Sequence, residues 1–243
     1  MLVKAVPQVG SKHGETVCCA GVTLEGQWRR MYPIRFRRLS DDSKFNRWHL
    51  VGYDAHLPRD DRRLESRRVH EESLQVGTKL SEAKRADFLD KIIRPSVKDA
   101  AGRGETLAIV RPKSFHFRIK PMEPLLHQSL KRTYAEAAKQ QSFLDRELVA
   151  FDPPRFHFLV SYEDSEGGRH HHQCGDWETI ATFTKWSRLY GEQSAIDRLT
   201  KRYNDFHQRG IVLALGTVKK RPKQWIMLGI IRADQPTGQL AFI

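Results

Sequence analysis

The sequence predicts an α+β fold: an N-terminal β-rich, barrel-like half, then a C-terminal α/β half in which a helix pair packs on strands. Three observations predict it. Residues 1 to about 75 alternate short β-like runs with polar turns. Residues 125–148 are rich in good helix formers and free of glycine and proline. Near the C-terminal end, two helix-like segments precede two continuous apolar runs of the kind that strands covered on both faces show.

The first β-like runs are VKAVP, ETVCCAGVTL, QWRRMYPI and WHLVGYDAHL, whose spacing suits a small curled sheet or barrel. SEAKRADFLDKII follows, with Ser81 placed as an N-cap. Its apolar positions Ala86, Leu89, Ile92 and Ile93 are spaced about a helical turn apart, with Pro95 beyond them. TLAIVRP and FHFRIKP read as strands closed by proline, the first preceded by a polar link, DAAGRGE. The long helix of LLHQSLKRTYAEAAKQQSFLDREL then forms a natural seam. It divides residues 1–122 from 123–243, two halves that one compact unit can contain.

Beyond the seam, FDPPRFHFLVSY reads as a strand after a proline turn, and EDSEGG turns into a return strand through RHHHQC. WETIATFTKWSRLY and EQSAIDRLTKRYNDFHQ read as two helices meeting at Gly191, where a C′ glycine would end the first. IVLALGTV and QWIMLGII close the fold as apolar strands joined by VKKRPKQ.

Charge directs the functional reading. The chain has 42 Lys and Arg against 29 Asp and Glu, a net charge of +13. Such an excess points to a polyanionic partner, DNA or RNA, when the cations are clustered. Two clusters stand out. In QWRRMYPIRFRRLS, Arg29, Arg30, Arg35, Arg37 and Arg38 are interleaved with Trp28, Tyr32 and Phe36; KKRPKQW carries Lys219, Lys220, Arg221 and Lys223. Arginine forks bond phosphate bidentately, and lysine adds a point charge. Trp28, Arg30 and Tyr32 would share one side of a strand, so the aromatics cannot all flank exposed arginines and read as core.

No apolar run approaches the ~18 residues of a membrane helix, and MLVKAVPQVG lacks the apolar region of a signal peptide. With three cysteines, Cys18, Cys19 and Cys174, the expectation is a cytoplasmic protein with reduced thiols and no membrane partner.

In GGRHHHQCGDWETI, His170, His172 and Cys174 would share one strand face and are acceptable zinc ligand types. Structural zinc sites, however, usually present two separated pairs, and an exposed return strand is the simpler expectation. Asp176 sits where an N-cap belongs, with Glu178 in the first turn at the positive end of the helix dipole. The alternative makes Asp176 and Glu178 the Mg²⁺-binding carboxylates of a nuclease, the only reading that calls for a cofactor. Alternate carboxylates across a helix start point in different directions. Nucleotide-binding glycine loops, GxSxG, HExxH and PD…ExK patterns are absent from the sequence.

The segments ETVCCAGVTLEGQWRRMYPIRFRRL, KFNRWHL, RRLESRRV, IVRPKSF, the DWE and LALGTVKKRPKQWIMLGII together resemble an uncharacterised bacterial protein family associated with genomic islands and mobile or defence loci. Similar sequences have cysteines and a histidine in a metal knuckle ahead of the DWE; SYEDSEGGRHHHQC does not reproduce it. The resemblance implies, by association, a nucleic-acid role. The expected function is a nucleic-acid-binding accessory protein that contacts the phosphate backbone. The alternatives are the nuclease, or a protein-interaction subunit of a larger assembly whose basic face meets an acidic partner.

Overall fold

The computed structural model describes residues 1–10, 14–142 and 149–233. The N-terminal part runs β1 (Val3–Lys4), β2 (Gln8–Gly10), β3 (Gly14–Val22), β4 (Trp28–Ile34), β5 (His49–Gly52), β6 (Ala55–His56), β7 (Ser66–Val69) and β8 (Gln75–Lys79). The middle comprises α1 (Arg85–Asp90), β9 (Ile93–Arg94), α2 (Val97–Gly102), β10 (Leu107–Val110), β11 (Ser114–Pro121) and α3 (Pro124–Ser142). The last part holds β12 (Phe156–Glu163), β13 (Arg169–Gln173), α4 (Trp177–Tyr190), α5 (Glu192–Arg209), β14 (Ile211–Val218) and β15 (Arg221–Arg232).

The fold is mixed α+β. Its first sheet has the order β1-β3-β4-β7-β6, with β2 also on β3, and among the described residues it stays open instead of closing into a barrel. β5 and β8 leave it to form a separate two-stranded sheet, so the N-terminal strands do not form the single curled sheet that their spacing suggested. A second sheet, β15-β14-β10-β9, draws strands from the middle and the end of the chain. Every residue of β10 is buried, and so are the first seven of β14, as expected of apolar runs covered on both faces.

The third sheet, β11-β12-β13, is antiparallel, and β12 alternates buried and half-buried positions along its whole length. Its buried face packs on the helix pair: Phe158 meets Phe183 at 5.2 Å, and Phe117 meets Tyr203 at 4.7 Å between ring centroids. These near-perpendicular and tilted ring contacts are favoured aromatic geometries. Asn204 of α5 reaches across to the edge strand. Its side-chain oxygen accepts from the Phe117 amide at 2.8 Å, and its Nδ2 donates to the Phe117 carbonyl at 3.1 Å.

Two local expectations are corrected. Residues 81–93 do not form one helix: a 3-10 turn over Glu82–Lys84 leads into the short α1, and the Ser81 side chain makes no cap bond. Ile93 pairs instead with Ile109 in a parallel bridge, so sheet pairing overrides the helical spacing. DAAGRGE is not a plain link, because α2 covers its first part. Ser96 caps that helix by accepting from the Asp99 amide at 3.0 Å. The long helix follows the expected course through Ser142, and its expected last residues, 143–148, lie outside the described residues.

Candidate functional site

The pleat of β4 splits the first arginine cluster. Successive residues of a strand face opposite sides, so Arg29 and Met31 border a cavity of about 520 Å³ against β5 and β8. Arg30 and Tyr32 line a different cleft, of about 580 Å³. Arg30 is buried, with its guanidinium 3.3 Å from Glu65 and donating to the Thr106 carbonyl at 3.2 Å.

Beyond Ile34 the row turns onto carboxylates. Arg35 pairs with Glu71 at 2.6 Å; Arg37 pairs with Glu15 at 2.8 Å and donates to the Val149 carbonyl at 2.5 Å; Arg38 is half-buried on the same 3-10 turn. Phe36 is core and Trp28 is half-buried against the core. Tyr32 departs from the core assignment, being 37% exposed at the cleft.

The cleft collects residues distant in sequence. β3 and β4 supply Cys18, Arg30 and Tyr32; β7 supplies Ser66, Arg67 and Arg68; the segment before it supplies Pro58, Asp60, Asp61 and Arg63. The β14–β15 hairpin adds Thr217, Val218, Lys219, Arg221, Ile226 and Leu228. The second basic cluster is therefore divided too: Lys219 and Arg221 line the cleft, while Lys220 and Lys223 are exposed farther along the hairpin.

Six cationic side chains thus face two carboxylates in the lining. Asp61 is held by Arg63 at 2.6 Å and by the Ser66 hydroxyl at 2.8 Å, and Arg63 also donates to the Thr217 carbonyl at 2.8 Å. Burial opposes ionisation of Asp61, but the bonds from Arg63 and Ser66 outweigh it and hold its carboxyl at about 2. Asp60, at the rim, pairs with Lys219 at 2.8 Å and lies 3.9 Å from Arg68; the hydrogen bond from Lys219 lowers it below the usual range.

Arg63, Arg67 and Arg68 were missed as site residues from sequence. The signal was present in RDDRRLESRR, with five arginines in ten residues, but three acids in the same run dilute its net charge.

The GGRHHHQCGDWETI region is built differently. Asp176 is fully buried and caps α4: its Oδ1 accepts from the Glu178 amide at 3.1 Å, and its Oδ2 accepts from the Ile230 amide at 3.1 Å. Arg47 completes its coordination at 3.1 Å and ties the same point to the carbonyls of Leu2 and Ile230. Glu178 turns away to pair with Lys4 at 3.0 Å. Both oxygens of Asp176 are engaged by the fold. Gly175 makes this junction possible. Its amide donates to the Met227 carbonyl at 3.0 Å and its carbonyl accepts from Val6, and a Cβ there would lie 2.9 Å from the Met227 oxygen.

The histidines lie on the expected return strand. His170 bonds Asp164 at 2.7 Å and stacks on Tyr162 at 4.6 Å, while burial lowers the His172 imidazole to about 4. The Cys174 thiol, buried beside Thr179, is pushed up to about 12 by that burial. Among the described residues, no group of three or more His, Cys, Asp or Glu side chains could hold a metal ion. No helix among them is long and apolar enough to cross a membrane.

Fold and site together define a mixed α+β protein with a basic cleft between an open N-terminal sheet and a C-terminal hairpin. The chain belongs to the family described as a domain of unknown function (DUF8757), whose model matches residues 89–242; a second domain of unknown function (DUF8758) matches residues 1–95. The cleft takes β4 and β7 from the first matched segment and the β14–β15 hairpin from the second. No curated protein and no solved structure matches the chain.

Proposed function

We propose that this protein binds nucleic acid, DNA or RNA, as an accessory factor, with the cleft as its phosphate-contacting surface. The observation that carries the reading is the convergence there of Arg30, Arg63, Arg67, Arg68, Lys219 and Arg221 from three separate parts of the chain. Arg30 and Arg63 are committed to Glu65 and Asp61 and build the wall. Arg67, Arg68, Lys219 and Arg221 are the phosphate ligands, Asp60 being displaced from Lys219 when the anion arrives. Backbone contacts of this kind position a nucleic acid without reading its sequence. On this reading the protein works in the bacterial cytoplasm beside mobile or defence loci, with protein subunits of a larger complex as further partners.

The test is salt dependence. Each phosphate contact releases counterions, so Arg68→Ala and Arg221→Ala should each reduce the slope of log affinity against log salt by about 1. Cys18 provides an independent probe of place, because it lines the cleft half-buried while Cys19 and Cys174 are buried. An oligonucleotide should protect Cys18 from alkylation. Binding whose slope ignores both substitutions and leaves Cys18 unprotected would remove the cleft from the reading.

A further inference from the structure

Two histidines meet at the β6 edge of the first sheet. His56 ends β6 and His70 follows β7, and the antiparallel register sets Ala55 against Val69 and His56 against Arg68. His70 lies two residues beyond Arg68, so it is the diagonal neighbour of His56 on the same face of the pleat. Both histidines are exposed, and Nδ1 of His56 lies 3.3 Å from Nε2 of His70, with the ring centroids 5.2 Å apart. Strand pairing fixes the backbone of His56. That of His70 is fixed by its amide, which donates to the Asp54 carbonyl at 3.0 Å, and by its carbonyl, which accepts from the Ser73 hydroxyl at 2.7 Å.

Two imidazole nitrogens this close can share a proton or a metal ion, and the two separations discriminate. Ordinary N–H···O bonds span about 2.7–3.2 Å, less than this pair. Two Zn–N bonds of about 2.0–2.1 Å at the tetrahedral angle put their nitrogens about 3.3–3.4 Å apart, whereas neighbouring positions of an octahedral ion would put them at about 3.0 Å. With each nitrogen about 1.1 Å from its ring centre, imidazoles aimed at one tetrahedral ion have centres about 5.1–5.2 Å apart; a straight N–H···N bond of the observed length would hold them at about 5.5 Å. Both observed values match the shared ion. We propose that His56 and His70 hold one zinc ion on the β6–β7 face, through the facing Nδ1 and Nε2, with water in the two remaining positions. Imidazole is a ligand that suits zinc, and the exposure of both rings lets water complete the coordination. The proton carried by one facing nitrogen passes through solvent to the far nitrogen of its ring, so both facing nitrogens present lone pairs and no redox partner is needed. Arg68, opposite His56, lies 3.9 Å from Asp60, whose carboxylate offsets its charge. The site is independent of what the basic cleft binds.

The experiment titrates the chelator-treated, untagged full chain with Zn²⁺ by calorimetry and with Co²⁺ by visible absorption, since cobalt reports its coordination number. One ion should bind per chain, and cobalt should show the intense bands of a tetrahedral site, lost when Zn²⁺ displaces it. His56→Ala and His70→Ala should each weaken binding more than about tenfold, because loss of a ligand costs no less than the roughly 10–100-fold of an outer-shell partner. His171→Ala, which removes an exposed histidine of β13, should leave binding unchanged. Thermal unfolding checks that each variant folds. In the wild-type protein the imidazole nitrogen resonances of His56 and His70 should shift as Zn²⁺ is added, and this decides the matter should a variant fail to fold. No binding at millimolar Zn²⁺, binding indifferent to both substitutions, binding weakened equally by His171→Ala, or the pale spectrum of six-coordinate cobalt would each overturn the site.

Discussion

Asp176 and Asp60 are both carboxylates beside cationic side chains, and water separates their roles. The Asp176 side chain is 0% exposed and has Arg47 and two backbone amides as partners; that of Asp60 is 64% exposed and touches Lys219 at the rim of an open cleft. Buried charges cannot exchange partners without uncovering an uncompensated ion, whereas exposed pairs are worth about 0–1 kcal/mol and are screened by salt. The same residue chemistry therefore serves as a rivet in one place and as an exposed, salt-screened ion pair in the other.

The largest effect should come from breaking the rivet. Asp176→Ala removes the cap of α4 and the carboxylate that Arg47 bonds at 3.1 Å, so unfolding free energy should fall by about 3–5 kcal/mol. Asp176→Asn, which keeps an oxygen for the Glu178 amide, should lose less. Urea titration measures both, and a loss below about 1 kcal/mol for the alanine variant would show the site to be no rivet.

A smaller effect is expected from protonation. Burial lowers His172 from its ordinary 6.5 to about 4 in the folded protein, and its Nε2 is buried without a hydrogen-bond partner. Between those two values the unfolded chain takes up a proton that the folded one refuses. Stability should therefore fall as pH drops from about 6.5 towards 4 and level off below. His172→Phe should flatten that part of the stability profile; an unaltered slope would assign it to other groups.

The smallest stability change belongs to the rim. Arg221→Ala should shift unfolding by no more than about 0.5 kcal/mol, since the side chain is exposed at the start of β15. Calorimetry on the variant whose salt slope is measured would show whether binding and folding separate at the cleft as they do not at Asp176.

Local signals located much of the fold. Asp176 before an apolar periodic run, and Gly191 between two such runs, placed α4 and α5 at the boundaries the structure has; Gly191 has the positive φ of 82° that a side chain resists. The Ser81 signal failed because Ile93 found a better partner in Ile109 than in its own helix. The site was far less legible. Arg29, Arg30, Arg35, Arg37 and Arg38 look alike in a row, yet the pleat sends the first two to opposite faces and two of the rest to Glu71 and Glu15. RDDRRLESRR, masked by its acids, supplied more of the cleft than the arginine row did.

By itself, then, the sequence determined the α+β class, the helix pair with its cap and its glycine, the buried apolar strands and the cationic excess. Each of these rests on periodicity, propensity or charge within a short stretch. Only the tertiary structure decided which charges are spent and which remain at the surface. Arg47 meets Asp176 across 129 residues and Lys219 meets Asp60 across 159, and no local pattern encodes such pairings. They arise where sheets and hairpins, each folded for its own apolar reasons, bring distant side chains within Coulomb range of one another.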